Sequence, residues 1–204
     1  ASRVTCDGCS SGVLSARAPL PPVWPMAGMT FTGGRYCPNV SLDSAAGTTS
    51  MQRLASTGAT WVAIVVTQYQ YFVNSTEIFP LYNATQELDP ERYYVFVTLR
   101  EEEVRGAIRT AKSLGLKVLL KPHVDLLRSE KGTPSHDGTY WRGDIGGCYP
   151  KDEFDAPFTQ AQWSEWFASY ARMFVPYAEL AAAEGVEMLS INTELYCPSR
   201  QEAG

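Results

Sequence analysis

The stretch "LSINTELY", residues 189–196, sets Ser190, Asn192 and Glu194 at every second position. On a strand, alternate side chains share a face, so a hydroxyl, an amide and a carboxyl group converge while Leu189, Ile191 and Leu195 take the other face. Upstream, "KVLLKPHVDLL" (117–127) does the same with Lys121, His123 and Asp125. Carboxyl, imidazole and ammonium groups so spaced are those of proton transfer and of hydrogen bonding to polar ligands. A Glu buried without a partner is costly, so these faces either meet solvent or line a site.

Positioning them requires a scaffold, and the chain alternates. "MAGMTF" (26–31) reads as a short strand, and a helix follows from about Ser44 to Thr57, stopped by Gly58. "TWVAIVV" (60–66) has the continuous apolar character of a strand buried on both faces, and it runs out into Thr67, Gln68 and Tyr69. Thr98 and Glu101 have capping-box spacing, and Val104, Ala107, Ile108, Ala111 and Leu114 form an apolar helical stripe closed by Gly115. "KVLLK" (117–121) is the third strand. Thr159 and Gln162 open a third helix whose stripe is Trp163, Trp166, Phe167, Tyr170, Phe174, Tyr177 and Ala181, with a kink expected at Pro176. Gly185 closes it before a fourth strand, "VEMLSI" (186–191).

Strand–helix alternation of this kind predicts parallel strands with right-handed crossovers, an α/β fold. A doubly wound sheet and a (β/α)₈ barrel both begin so. The segment after strand one, "TGGRYCPNV", has neither phosphate-loop spacing, which favours the TIM-barrel type. Barrels build their sites at the C-terminal ends of the strands, where Gln68, Lys121, His123, Asn192 and Glu194 collect.

Composition excludes other classes. The 204 residues are 45% hydrophobic and 19% charged, an ordinary globular balance. A net charge of −5 gives no basic footprint for nucleic acid. No apolar run approaches the ~18 residues of a membrane span. Residues 1–25, rich in Cys, Ser and Pro and ending in "APLPPVWP", read as an extension before a domain spanning 26–204, and their start fits a mature or trimmed N-terminus. Three of the four asparagines, Asn39, Asn74 and Asn83, lie in N-x-[ST] sequons, and there are five cysteines. Both features predict a secreted or extracellular glycoprotein with disulfides.

Three motifs carry no chemistry here. "GCSSG" (8–12) lacks the strand a nucleophile elbow needs. "CDGC" (6–9) has no second Cys pair, and His123 with Asp125 has no third ligand nearby, so no metal and no cofactor are expected.

The segments "GATWVAIVVTQYQ", "AIRTAKSLGLKVLLKPHVD", "YWRGDI", "WFASYARMF" and "INTELY" stand in the order found in glycoside hydrolase family 113, the endo-β-mannanases, and residues 26–197 resemble that family. "LKPHVD" and "TEL" are the most specific parts. The resemblance implies a (β/α)₈ barrel of the retaining glycosidase clan, of which this chain covers about strands 1–4. It implies the acid/base role for Glu194, at the end of strand four. The clan often places Asn directly before this Glu; here Thr193 stands there and Asn192 one earlier. The supporting set is Asn192, His123, Lys121 and Gln68, with Trp141 as a platform for a sugar ring and Arg142 either bonding hydroxyls or holding its loop.

A retaining glycosidase uses two carboxyl groups about 5 Å apart, a proton donor and a nucleophile. The family takes its nucleophile from strand seven, so further sequence or a second chain is expected to complete the barrel. The substrate is then a β-linked hexose polysaccharide or oligosaccharide. A non-catalytic extracellular glycoprotein using the same scaffold for binding or assembly is the alternative. Cys148 and Cys197 follow strands three and four, on one barrel face, and are expected to pair; Cys37, after strand one, then bonds to Cys6 or Cys9.

Overall fold

A computed structural model describes residues 26–32, 41–82, 97–127, 140–148 and 157–201 of the chain. Residues 1–25, with Cys6 and Cys9, lie outside the described residues, as do Cys37, Asn39 and Asn83.

Four strands form one parallel sheet in the order β1 (Gly28–Thr32), β2 (Trp61–Gln70), β3 (Lys117–Leu126) and β4 (Met188–Leu189). Helix α1 (Ala45–Ser56) joins β1 to β2, α2 (Glu101–Ser113) joins β2 to β3, and α3 (Gln160–Ala183) joins β3 to β4. Sequential order with a helix in every crossover is what the alternation predicts. β2 and β3 run further than their apolar cores suggest, each to ten residues, because their polar ends stay on the ladder.

One face of the sheet is roofed by helices. Val62, Ile64 and Val66 of β2 and Val118, Leu120 and Val124 of β3 share a core with Val104, Ala107, Ile108 and Ala111 of α2 and with Trp166, Met173 and Leu180 of α3. The alternate residues of β3, Lys121, His123 and Asp125, stand half-buried on the opposite face. Their neighbours across the register are Val65, Thr67 and Tyr69 of β2.

The helix starts follow the expected residues at α1 and α3 and depart from them at α2. Ser44 caps α1 through its Oγ, 3.2 Å from the Gly47 N–H. At α3 the Thr159 backbone N–H donates to Gln162 Oε1 at 3.0 Å, the expected capping box. Gly115 and Gly185, both at positive φ, follow α2 and α3. The box expected at Thr98 and Glu101 is displaced by two residues. Arg100 is the last extended residue, and its N–H donates to Glu103 Oε2 at 2.6 Å. Thr98 is instead buried, donating to the Thr67 carbonyl at 2.7 Å and accepting from the Leu81 N–H at 2.8 Å. It ties the end of the β2–α2 connection to the sheet.

Two further expectations change. On α3 the core row is Trp163, Trp166, Met173, Tyr177, Leu180 and Ala181, while Phe167 is 43% exposed. Phe167 packs tilted against Trp163 and edge-to-face with Trp166, with ring centroids 5.8 and 5.2 Å away. The helix continues through Pro176 to Ala183. Strand four is also shorter than read: the Ser190 N–H donates to the Leu120 carbonyl at 2.9 Å, and the chain then bends. Ser190 Oγ donates to the Asn192 carbonyl at 2.7 Å, and Asn192 Oδ1 accepts from the Leu195 N–H at 3.1 Å. These side-chain-to-backbone bonds compete with the ladder and win at its edge.

Candidate active site

The C-terminal end of β3 is the floor of the site. Lys121, His123 and Asp125 alternate there on the face away from the helices. Asp125 is fixed at both oxygens, since Oδ1 accepts from the Leu126 N–H at 2.9 Å and Oδ2 from Arg142 Nη2 at 2.8 Å.

Arg142 opens a 3₁₀ turn, Arg142–Asp144, that hangs beside this floor. The turn is self-bracing. Buried Asp144 accepts the Trp141 N–H at its Oδ2, 3.1 Å away, and its own N–H donates to the Trp141 carbonyl at 2.9 Å. The Trp141 ring lies over Gly143, where a Cβ would come within 2.3 Å of it; only glycine admits that contact. The ring is 44% exposed at the mouth. Two links tie this turn to the segment after β4: the Cys197 N–H donates to the Gly143 carbonyl at 3.0 Å, and Cys148 and Cys197 form a disulfide with Cα atoms 5.5 Å apart.

Glu194 lies on that braced segment at φ 57°, the only non-glycine at positive φ among the described residues. Left-handed backbone is uncommon for a side chain larger than glycine and marks a constrained position. It also explains why strand alternation does not carry through to Glu194. Arg142 Nη1 meets Glu194 Oε2 at 2.7 Å, so one guanidinium joins two carboxylates. Burial would pull the Arg142 guanidinium down, but the charge and hydrogen bond of Asp125, and then those of Glu194, hold it above its ordinary value.

His123 shares the face of Lys121 and Asp125 and feels both, together with Arg142. Burial first, then the cations Arg142 and Lys121, push its imidazole down to about 4 against the opposing pull of Asp125. It is therefore neutral near pH 7. Its Nε2 is buried without a hydrogen-bond partner, as are Arg142 Nε and Thr193 Oγ1. Buried polar atoms are nearly always satisfied in a working structure, so these three have capacity for hydroxyl groups or water.

The structure gathers Glu194, Arg142, His123, Lys121 and Trp141 at one end of the sheet. It does not gather Gln68 or Asn192. Gln68 is in register with Val124, under the helices, and its Nε2 donates to Tyr177 Oη at 3.2 Å. Alternation fixes which residues share a face, not which face the helices cover. Asn192 builds the bend, as above, with its side-chain oxygen taken by the Leu195 N–H. Asp125, which alternation puts on the same face as Lys121 and His123, joins the site although the resemblance assigns it no role. Its spacing from His123 was the available signal, and its link to Arg142 was not visible without the loop. Tyr170 supports the bend from behind, donating to the Ile191 carbonyl at 2.6 Å, and burial pushes its phenol up to about 12. Asn74 is exposed in the turn after β2. Among the described residues no group of three His, Cys, Asp or Glu could hold a metal ion, and no helix is long and apolar enough to cross a membrane.

Comparison with known proteins places this geometry in a family. Residues 29–204 match the family model of Glycoside Hydrolase Family 113. A comparison with curated proteins finds no match. Among solved structures, the GH113 β-mannanase AaManA from Alicyclobacillus acidocaldarius, in complex with ManMIm, is 25% identical with a TM-score of 0.57, over 85% of this chain and 45% of its own. A GH113 β-1,4-mannanase determined as a complex matches at 23% identity and TM-score 0.56, over 84% of this chain and 45% of its own. Another GH113 β-1,4-mannanase structure matches at 23% identity and TM-score 0.57, over 84% and 46%. The chain thus spans a little under half the length of these mannanases, and its four-stranded parallel sheet is about half of a (β/α)₈ barrel. It belongs to glycoside hydrolase family 113.

Proposed function

We propose that this chain forms the first half of a secreted, retaining endo-β-mannanase-like hydrolase that cleaves a β-linked hexose polysaccharide, with Glu194 as general acid/base. The observation that carries this reading is the position of Glu194. It sits just past β4 on a disulfide-braced bend, at left-handed backbone, next in sequence to Thr193 and paired with Arg142, each of which holds a buried polar atom with no hydrogen-bond partner. Neutral His123, with Lys121, supplies hydrogen bonds to sugar hydroxyls, and exposed Trp141 offers a ring face for a pyranose. Two of the solved relatives are β-1,4-mannanases, which makes β-1,4-mannan the first substrate to try.

The nucleophile is a carboxylate on the part of the barrel that completes this one, about 5 Å from Glu194. Asp125 is not assigned that role: its two oxygens are taken by Arg142 Nη2 and the Leu126 N–H, and the family resemblance puts the nucleophile on strand seven. Secretion is supported by the sequons at Asn39, Asn74 and Asn83 and by the Cys148–Cys197 bridge.

The test is Glu194→Gln in the complete native polypeptide, assayed on a mannan oligosaccharide and on an activated aryl glycoside. Loss of a general acid lowers glycosylation by about 10²–10⁴-fold where the leaving group needs a proton, and far less where it does not. Equal, modest losses on both would reduce Glu194 to a binding group. No cleavage by the wild-type protein, with sugar binding retained, would favour the non-catalytic scaffold.

A further inference from the structure

The bend that carries Glu194 does not by itself aim the carboxylate. β4 ends at Leu189, the sheet ladder stops at Ser190, and the Glu194 side chain is 56% exposed. What holds it is Arg142, whose side chain is 21% exposed and whose two terminal nitrogens each take a different carboxylate. The two partners are not equivalent. Asp125 is 25% exposed, rooted in β3, and locked at its second oxygen by the Leu126 N–H. It is the permanent counter-ion of a largely buried guanidinium. Glu194 is the exposed, exchangeable one.

We propose that Arg142 is a positioning residue for catalysis, a rigid fork anchored on Asp125 that aims the Glu194 carboxyl at the leaving-group oxygen. The proposal rests on Glu194 being the general acid. The fork geometry is the reason for the residue type. A guanidinium presents two N–H groups in one plane and can join two carboxylates at a fixed angle, whereas an ammonium is a point charge on a flexible stem. Asp125 matters for the same reason. When Glu194 takes up or gives away its proton, the guanidinium keeps one full counter-charge and does not move to find another. Losing such a partner from a buried charge pair is far more costly than losing an exposed one.

The experiment uses the complete native polypeptide with Arg142→Lys, Asp125→Asn and Glu194→Gln. Each is assayed on a mannan oligosaccharide and on an activated aryl glycoside, with KM and thermal midpoint recorded. Asp125→Asn can keep its oxygen on the Leu126 N–H, which turns its amide N–H groups toward the guanidinium and releases the fork, and the thermal midpoint records what the lost counter-ion costs the fold. The expected result is that Arg142→Lys and Asp125→Asn each lower kcat on the oligosaccharide by about 10- to 100-fold, part of what removing the acid costs. On the aryl glycoside the loss is less than about threefold, with KM nearly unchanged. Equal losses on both substrates, or a rise in KM alone, would overturn the proposal, because Arg142 would then bond substrate hydroxyls or only hold its loop. If Glu194→Gln shows the substrate asymmetry and the other two variants do not, the fork fails while the acid stands. If Glu194→Gln shows none, both fail.

Discussion

At the scale of single residues, His123 is the group whose charge state is decided most clearly by its surroundings. Burial and two neighbouring cations hold it at about 4, below its ordinary 6.5. Between those values the unfolded chain binds more protons than the folded one, so stability falls as pH drops from 6.5 toward 4. With partial solvent screening the loss is about 1–2 kcal/mol. His123→Gln is expected to flatten the acid side of a thermal-midpoint profile between pH 7 and 4. An unchanged slope in the variant would mean that other groups carry the dependence. Glu194, His123, Lys121, Trp141 and Arg142 were all legible in the sequence, from period-two spacing and family motifs. The ion pairs of Arg142 with Asp125 and Glu194 were not, because the course of a loop has no periodicity from which to read a contact. Gln68 and Asn192 misled for a related reason: a polar residue near a strand end can equally serve a helix roof or a turn.

At the scale of elements, the site depends on how the 140–148 loop is held against α3. The Gly146 N–H donates to the Val73 carbonyl at 2.8 Å, its carbonyl accepts from the Phe158 N–H at 3.0 Å, and its φ is 84°. A Cβ there would come within 2.2 Å of the Trp163 ring. Gly146→Ala combines a disfavoured backbone with a clash, and is expected to cost about 2–4 kcal/mol and to loosen Arg142 with it. A denaturant midpoint within 0.5 kcal/mol of wild type, roughly the spread of neutral surface changes, would show that the ring yields freely. The β2–α2 connection is pinned from the same helix, since fully buried Gln70 accepts from Trp166 Nε1 at 2.8 Å and donates to the Phe72 carbonyl at 2.6 Å. Helices and the first three strands were legible because apolar period and caps agree over ten or more residues. β4 was over-read because a run of alternating residues also suits an Asx-stabilised bend, and only tertiary pairing tells the two apart.

At the scale of the whole molecule, the Cys148–Cys197 bridge joins connections that follow β3 and β4, 49 residues apart in sequence. A loop of that length contributes about 2–4 kcal/mol through the unfolded state. The Cys148→Ser, Cys197→Ser pair is expected to lower stability by that amount, and to reduce turnover more than KM because Glu194 and Arg142 lose their common brace. Unchanged stability in the double variant would mean that the backbone bond from Cys197 to Gly143 suffices. The alternation of strands and helices predicted a parallel α/β sheet, and the missing phosphate-loop spacing with the family resemblance favoured the barrel type. The chain spans a little under half the length of the related mannanases, so under the proposed function the catalytic pair is a property of the complete barrel.

The central claim is retaining hydrolysis of a β-mannan by that barrel with Glu194 as acid/base. The most direct measurement is a proton NMR time course of a mannan oligosaccharide cleaved by the complete native polypeptide, read before mutarotation. The β-anomer of the new reducing end should form first and decay to the equilibrium mixture, and Glu194→Gln should stop its formation. An α-anomer formed first, or β-anomer released by the Glu194→Gln variant at the wild-type rate, would contradict the account.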